Sequence, residues 1–146
     1  MSSMLSKSSK YAIKAVIFLA LHSDKDRKIL VRDIYETIKV SESYLAKLLQ
    51  DLSRHGIISS TKGRHGGFYL SEENTRRTLM DIVRVIDGDE GINACVLGIS
   101  GCNTENPCVL HHLVGPSKMD FNHVLETTTL GDLVKGISDE HPIFPL

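Results

Sequence analysis

The stretch from Ser41 to Leu70 restricts the fold more than any other part of the chain. Ser41 is a good helix N-cap. Leu45, Leu48, Leu49 and Leu52 follow at i, i+3, i+4 and i+7, an apolar stripe on a helix that ends at His55-Gly56. Ile57-Ile-Ser-Ser-Thr61 then reads as a strand, Lys62-Gly-Arg-His-Gly-Gly67 as a turn, and Phe68-Tyr-Leu70 as a returning strand. Upstream, a helix from Ser8 to His22 carries Ala12, Ala15, Val16, Leu19 and Ala20 at helical spacing. A second, from Val31 to Ile38, puts Val31, Ile34, Tyr35 and Ile38 on one face. Only Lys39-Val40 separates it from Ser41, and two short helices joined by a tight turn form a helix-turn-helix. A hairpin directly after such a unit is a wing. The expected fold is mainly α with a small β-hairpin wing, a winged helix-turn-helix over residues 1–78.

Charge gives this half of the chain a partner. The formal total is -1, yet residues 1–78 hold fourteen Lys and Arg against eight Asp and Glu, while residues 79–146 hold three against ten. A basic half joined to an acidic half points to nucleic acid on one side and something else on the other. In a helix-turn-helix the N-terminal turn of the second helix meets base edges while nearby cations and hydroxyls hold phosphates. Ser43 and Lys47 are the leading DNA-binding candidates, with Tyr44 as a phosphate contact. Lys62 and Arg64 put charge on a glycine-rich hairpin tip suited to a phosphate backbone or a narrow minor groove.

Beyond Ser71 the pattern changes. Thr78 and Asp81 have capping-box spacing, Leu79, Ile82, Val83 and Ile86 line one face, and Gly88 is positioned to stop the helix. Asp89 to Pro107 is a long stretch without a steady period, and long loops in compact domains are usually functional or disordered. All three cysteines, Cys95, Cys102 and Cys108, lie there or at its end, and His111 and His112 follow on a short helical turn from Cys108 to Val114. An odd, clustered set is a poor disulfide framework and reads better as metal ligands or a reactive thiol site. Three thiolates and one imidazole make a four-ligand set for zinc or for an iron-sulfur cluster, and the wide, glycine-rich spacing tilts toward the cluster. Gly115-Pro116 is expected to break or restart the helix, which resumes from Ser117 to Glu126; Thr129 and Asp132 repeat the capping spacing, and His141 to Leu146 is a Pro-punctuated tail.

In order along the chain, Leu5-Ser-Lys-Ser-Ser-Lys-Tyr-Ala-Ile13, Ser41-Glu-Ser-Tyr-Leu45, Gly56-Ile57, Lys62-Gly63, Gly66-Gly-Phe68, Thr78-Leu-Met-Asp-Ile82, the three cysteines and Thr129-Leu-Gly-Asp-Leu133 resemble the Rrf-type winged-helix transcription regulators, the family of IscR and NsrR. The resemblance implies a repressor of transcription that binds a double-stranded DNA operator as a homodimer. Residues 79–146 would then supply a linker helix, a sensor loop and a dimerisation helix within one compact domain. It also implies a cluster, 2Fe-2S (4Fe-4S in some relatives), held by Cys95, Cys102 and Cys108 with His111 as fourth ligand. Lys10 stands where an acidic ligand from a partner's first helix occurs in the NsrR branch, which favours His111. The first cysteine gap is one residue longer than is usual in the family. Ala46 replaces an acidic, base-discriminating residue of the IscR type, so the operator sequence does not carry over.

Other function classes are weakly represented. Lys7, Lys10 and Lys14 precede the apolar run Ala15 to Leu21, but that run is far short of the roughly 20 residues needed to span a bilayer, so no membrane association and a cytoplasmic location are expected. With 41% apolar and 24% charged residues, disorder is excluded. No acid-base pair, phosphate-binding glycine loop or nucleophile constellation suggests an enzyme. The same DNA-binding dimer with a zinc or thiol-redox site, and an iron-sulfur carrier, are the competing readings.

Overall fold

The computed structural model describes residues 5–139, so the Pro-punctuated tail from His141 lies outside the described residues. The fold begins with α1 (Lys7–His22), α2 (Val31–Ile38) and α3 (Glu42–Arg54). Side-chain oxygens cap two of them: Ser6 Oγ accepts the Ser9 N–H at 3.0 Å, and Ser41 Oγ accepts the Tyr44 N–H at 3.3 Å. Lys39, with φ 59°, makes the left-handed turn between α2 and α3. Ala12, Ala15, Val16 and Leu19 of α1 pack with Ile34 and Ile38 of α2 and with Leu45, Leu49 and Leu52 of α3. The apolar stripes read from the sequence therefore close one common core.

The strand expected from Ile57 starts two residues later. The Ile57 N–H donates to the Leu52 carbonyl at 2.9 Å and the Gly56 N–H to that of Ser53 at 3.1 Å, a Schellman ending of α3. With its N–H committed there, Ile57 stays buried in the core without entering the ladder. The wing is β1 (Ser59–Thr61) antiparallel to β2 (Gly67–Tyr69), with Ser59 opposite Tyr69 and Thr61 opposite Gly67. Ile29, in the loop before α2, adds one rung: it exchanges two 2.8 Å backbone hydrogen bonds with Phe68. Buried Asn74 anchors the base of the wing. Its Oδ1 accepts from Ser59 Oγ at 2.8 Å, Ser71 Oγ at 2.7 Å and the Ser71 N–H at 2.8 Å, and its amide donates to the Gly56 carbonyl at 3.1 Å.

The second half contains α4 (Leu79–Ile92), α5 (His111–Thr127) and α6 (Leu130–Asp139). Gly88 does interrupt α4, at φ 72° and ψ 174°, but the helix resumes as far as Ile92 and shortens the expected loop. Gly115-Pro116 does not break α5. Pro116 forfeits one N–H in the second turn, but it sits on the exposed side and the helix runs through it.

Two capping boxes stand side by side. Thr78 and Asp81 exchange hydrogen bonds at the start of α4, and Thr129 and Asp132 do so at the start of α6. The N–H and hydroxyl of Thr129 hold the Asp132 carboxyl below the usual carboxylate range. Backbone bonds from Leu79 to Thr128 (3.0 Å) and from Leu130 to Arg77 (2.8 Å) join the two starts. Leu130 and Ile82 thereby reach the same core as α1 to α3, while Met80, Val83 and Leu125 form a second cluster between α4 and α5.

Close approach fixes one glycine. Gly67 has φ 150°, and a Cβ there would lie 2.8 Å from the Ile29 carbonyl oxygen. Gly67→Ala is expected to cost about 1–3 kcal/mol in urea unfolding. As a control, Gly115→Ala, with open space around it in α5, is expected to be neutral or to stabilise by up to about 1 kcal/mol.

Candidate metal centre and nucleic-acid interface

The residues between α4 and α5 have little apolar packing to hold them. Two tight turns shape the loop: the Gly98 N–H donates to the Cys95 carbonyl at 2.8 Å and the Cys102 N–H to that of Ile99 at 3.3 Å. The second turn needs a left-handed residue at its third position, supplied by Gly101 (φ 83°), and Gly98, also left-handed (φ 71°), joins the two turns. Asn103 Oδ1 then accepts the N–H groups of Glu105 and Asn106, each at 2.8 Å, and turns the chain back toward Cys108. Lys118 of α5 donates through Nζ to the Ala94 carbonyl at 2.5 Å, pinning the start of the loop to the helix.

These contacts bring the donor atoms together. The sulfurs of Cys95, Cys102 and Cys108 lie within 4.8 Å of one another. Cys95 Sγ is 3.6 Å from Cys108 Sγ, and Cys102 Sγ is 3.5 Å from His111 Nδ1. The sulfur pair is too far apart for a disulfide, whose bond is about 2.05 Å. A tetrahedral centre with metal–sulfur bonds of about 2.3 Å holds its ligands roughly 3.8 Å apart, close to both separations. The donor set thus fits a metal ion or a small cluster.

His111 is the histidine that joins the thiols. His112 is exposed, and its ring stands edge-on to His111 with centroids 5.2 Å apart. A cleft of about 450 Å³ opens over the four donors, with Val96, Leu110, Val114 and Lys118 among its walls.

The thiols differ in acidity. The N–H groups of Ile99 and Leu97 favour the thiolate of Cys95 and lower its pKa from the usual 9.0 to about 7. Cys102 receives the Cys108 N–H at 3.3 Å, which also favours a thiolate, but burial and the neighbouring Cys108 and Cys95 sulfurs outweigh it and push its pKa up. One cysteine is therefore readily ionised near neutral pH, whereas a second holds its proton more firmly than a free thiol.

The other expected site residues lie on the helix-turn-helix and wing. Ser43 and Lys47 are exposed one turn apart on α3, and Gln50 and Arg54 continue the same face. Lys62 and Arg64 are exposed at the hairpin tip. Tyr44 is half-buried: its hydroxyl shares a 2.5 Å hydrogen bond with Ser8 Oγ, and its ring meets Tyr11 edge-on at 6.0 Å. Tyr44 thus ties α3 to α1, a contact that helical periodicity does not reveal. Lys118 was also missed, although its position seven residues after His111 places it on the same face of α5. Among the described residues, no helix is long and apolar enough to cross a membrane.

Known proteins resemble this chain in sequence and in fold. The sequence profile of Rrf2, described as an iron-dependent transcriptional regulator, matches residues 5–136. A chain from Aquifex aeolicus, named as an HTH-type transcriptional regulator, is 32% identical over 98% of both chains. Among solved structures, CymR (YrzC), the global cysteine regulator of B. subtilis, superposes with a TM-score of 0.69 at 26% identity, covering 90% of this chain and 96% of that one. T. potens IscR superposes with a TM-score of 0.67 at 25% identity, covering 92% and 88%. Both share the mainly helical winged fold. With the profile spanning nearly its whole length, the chain belongs to the Rrf2 family of transcriptional regulators.

Proposed function

We propose that the chain is a homodimeric repressor whose grip on a double-stranded DNA operator is set by a 2Fe-2S cluster held by Cys95, Cys102, Cys108 and His111. The observation that carries this reading is the convergence of three sulfurs within 4.8 Å, with His111 Nδ1 3.5 Å from one of them. When bound, the cluster supplies a centre that responds to redox state, to nitric oxide or to iron-sulfur supply. The chain's own residues do the rest. Cys95 offers a thiolate near neutral pH, Cys102 and Cys108 supply the other two sulfurs, and Lys118 holds the loop in place.

On the DNA side, Ser43 and Lys47 face the major groove, Lys62 and Arg64 reach the phosphate backbone, and Tyr44 reaches a phosphate through the hydroxyl it shares with Ser8. Dimer formation is supported by the outward face of α5 and the turn before it: Val109 is 81% exposed, Leu113 73% and Val124 53%. Apolar side chains so placed gain by meeting a second copy. Both recognition helices then reach half-sites about one helical turn, roughly 34 Å, apart. Ordering of the loop between α4 and α5 alters that spacing, and so alters affinity.

A thiol-redox site is the second reading. It is favoured by the 3.6 Å contact between Cys95 and Cys108 and by the lowered pKa of Cys95. Likeness to a regulator named for cysteine also favours it.

Protein purified without oxygen is expected to be coloured and to hold iron and acid-labile sulfide, two of each per chain; Cys102→Ser and His111→Ala are expected to lose both. A colourless sample, or one holding zinc in stoichiometric amount, would contradict the cluster. In a salt titration of duplex binding, replacing Lys62 and Arg64 with Ala is expected to weaken binding and, with four cations lost per dimer, to make the log–log slope shallower by about 3.5. An unchanged slope would remove the wing from the interface.

A further inference from the structure

The first turn of α1 is held from two sides. Toward α4, Asp87 accepts hydrogen bonds from Ser6 Oγ at 2.6 Å and from Ser9 Oγ at 2.7 Å. Ser6 is at the same time the helix N-cap, so the carboxylate fastens the residue that starts α1. Bonds to an ionised acceptor are stronger than neutral ones, and a negative charge at a helix N-terminus is further favoured by the helix dipole. Toward α3, Ser8 Oγ is bonded to the Tyr44 hydroxyl and Tyr11 abuts the Tyr44 ring. Successive helical residues point about 100° apart, so Ser8 and Ser9 let one turn face α3 and α4 together.

Asp87 also has a telling position along the chain. It is the last residue before Gly88, where α4 leaves helical geometry, and the turn beyond runs through Ile92 to Cys95. Gly88 (φ 72°, ψ 174°) is the pivot between the two parts of α4, and the part beyond it packs on Asp87: a Cβ at Gly91 would lie 2.6 Å from that of Asp87. The covalent path from Cys95 back to α3 runs through all of α4 and the wing. The path through Asp87 crosses a single turn of α1.

We propose that Asp87, with Ser6, Ser9 and Ser8, links the conformation of the cysteine loop to Tyr44 and the recognition helix. Asp87 is a positioning residue: it acts on α3 through the first turn of α1. The link rests on the reading above, in which the loop senses and α3 binds DNA. Packed helices move as units, so a displacement at the pivot reaches Tyr44 as a tilt of the α1 start.

The test uses a duplex enriched from a random-sequence library by the wild-type protein. In metal-free protein, Asp87→Ala and Ser8→Ala are each expected to weaken binding of that duplex by on the order of threefold to tenfold. The double variant is expected to be no weaker than the worse single one, because the two residues act in series. Losses that multiply in the double variant would overturn the link, since independent sites add in free energy.

Amide hydrogen exchange supplies a second readout. Loading wild-type protein with ferrous iron and sulfide is expected to change exchange in both the cysteine loop and the first turn of α3. In Asp87→Ala the change is expected in the loop alone, and an α3 response that survives there overturns the proposal. Asp87→Asn keeps an acceptor oxygen and is expected to recover part of the α3 response; it also serves if the Ala variant does not fold. Wild-type protein that enriches no duplex, or whose loop ignores iron, brings down the functional reading and the link with it. That failure is distinguishable because it appears before any substitution is made.

Discussion

The packing of α1 is the constraint on which the rest of the molecule depends. This one helix touches α2, α3, α4, α6 and β2. Ala12 and Ala15 have no exposed surface, and side chains that small let neighbouring helices approach on more than one side. Val16 and Leu19 fill the remaining space, and full burial of such side chains stabilises by about 1.5–3 kcal/mol each. The consequence is functional. The helix-turn-helix and the segment that leads to the cysteines share one apolar core, with Ile82 and Leu130 beside the residues of α3.

Much of the fold was legible because burial enforces periodicity. The leucines of α3, the alanines of α1 and the capping spacings at Thr78 and Thr129 each reported a local rule that the folded chain obeys. The differences arose where a tertiary contact outweighed a local preference. Ile57 is β-branched, yet its N–H closes the end of α3 and the ladder begins at Ser59. Pro116 and Gly115 are helix breakers by propensity, but α5 is long enough to carry both. Gly88 interrupts α4 as its residue type suggests, without ending it.

The candidate site was legible in part for a different reason. Buried structural thiols have no cause to gather in an irregular loop, so three of them in one window already pointed to ligation. Spacing alone left His111 and His112 open, since both follow Cys108 within one helical turn, and only the family resemblance favoured His111. The start of α5 places His111 Nδ1 beside Cys102 Sγ. Asp87 was invisible for want of any local signal. Its serine partner Ser9 lies 78 residues away, and only the packing of α4 on α1 brings the two together.

The charge asymmetry acquires a physical meaning in this setting. The exposed cations Lys47, Lys62 and Arg64 belong to the helix-turn-helix and wing, while the acidic half carries the thiols and the outward apolar face of α5. The face proposed to meet DNA thus shares one core with the helix that leads to a loop with little packing of its own. The central claim is that occupancy of the cysteine site sets affinity for DNA. Its most direct test is the dissociation constant of one preparation for one selected duplex, at fixed salt, before and after anaerobic loading with iron and sulfide. Constants at least about tenfold apart, equivalent to about 1.4 kcal/mol of coupling, are the expected result. Coincident binding curves, with loading verified by visible absorption, would contradict the claim.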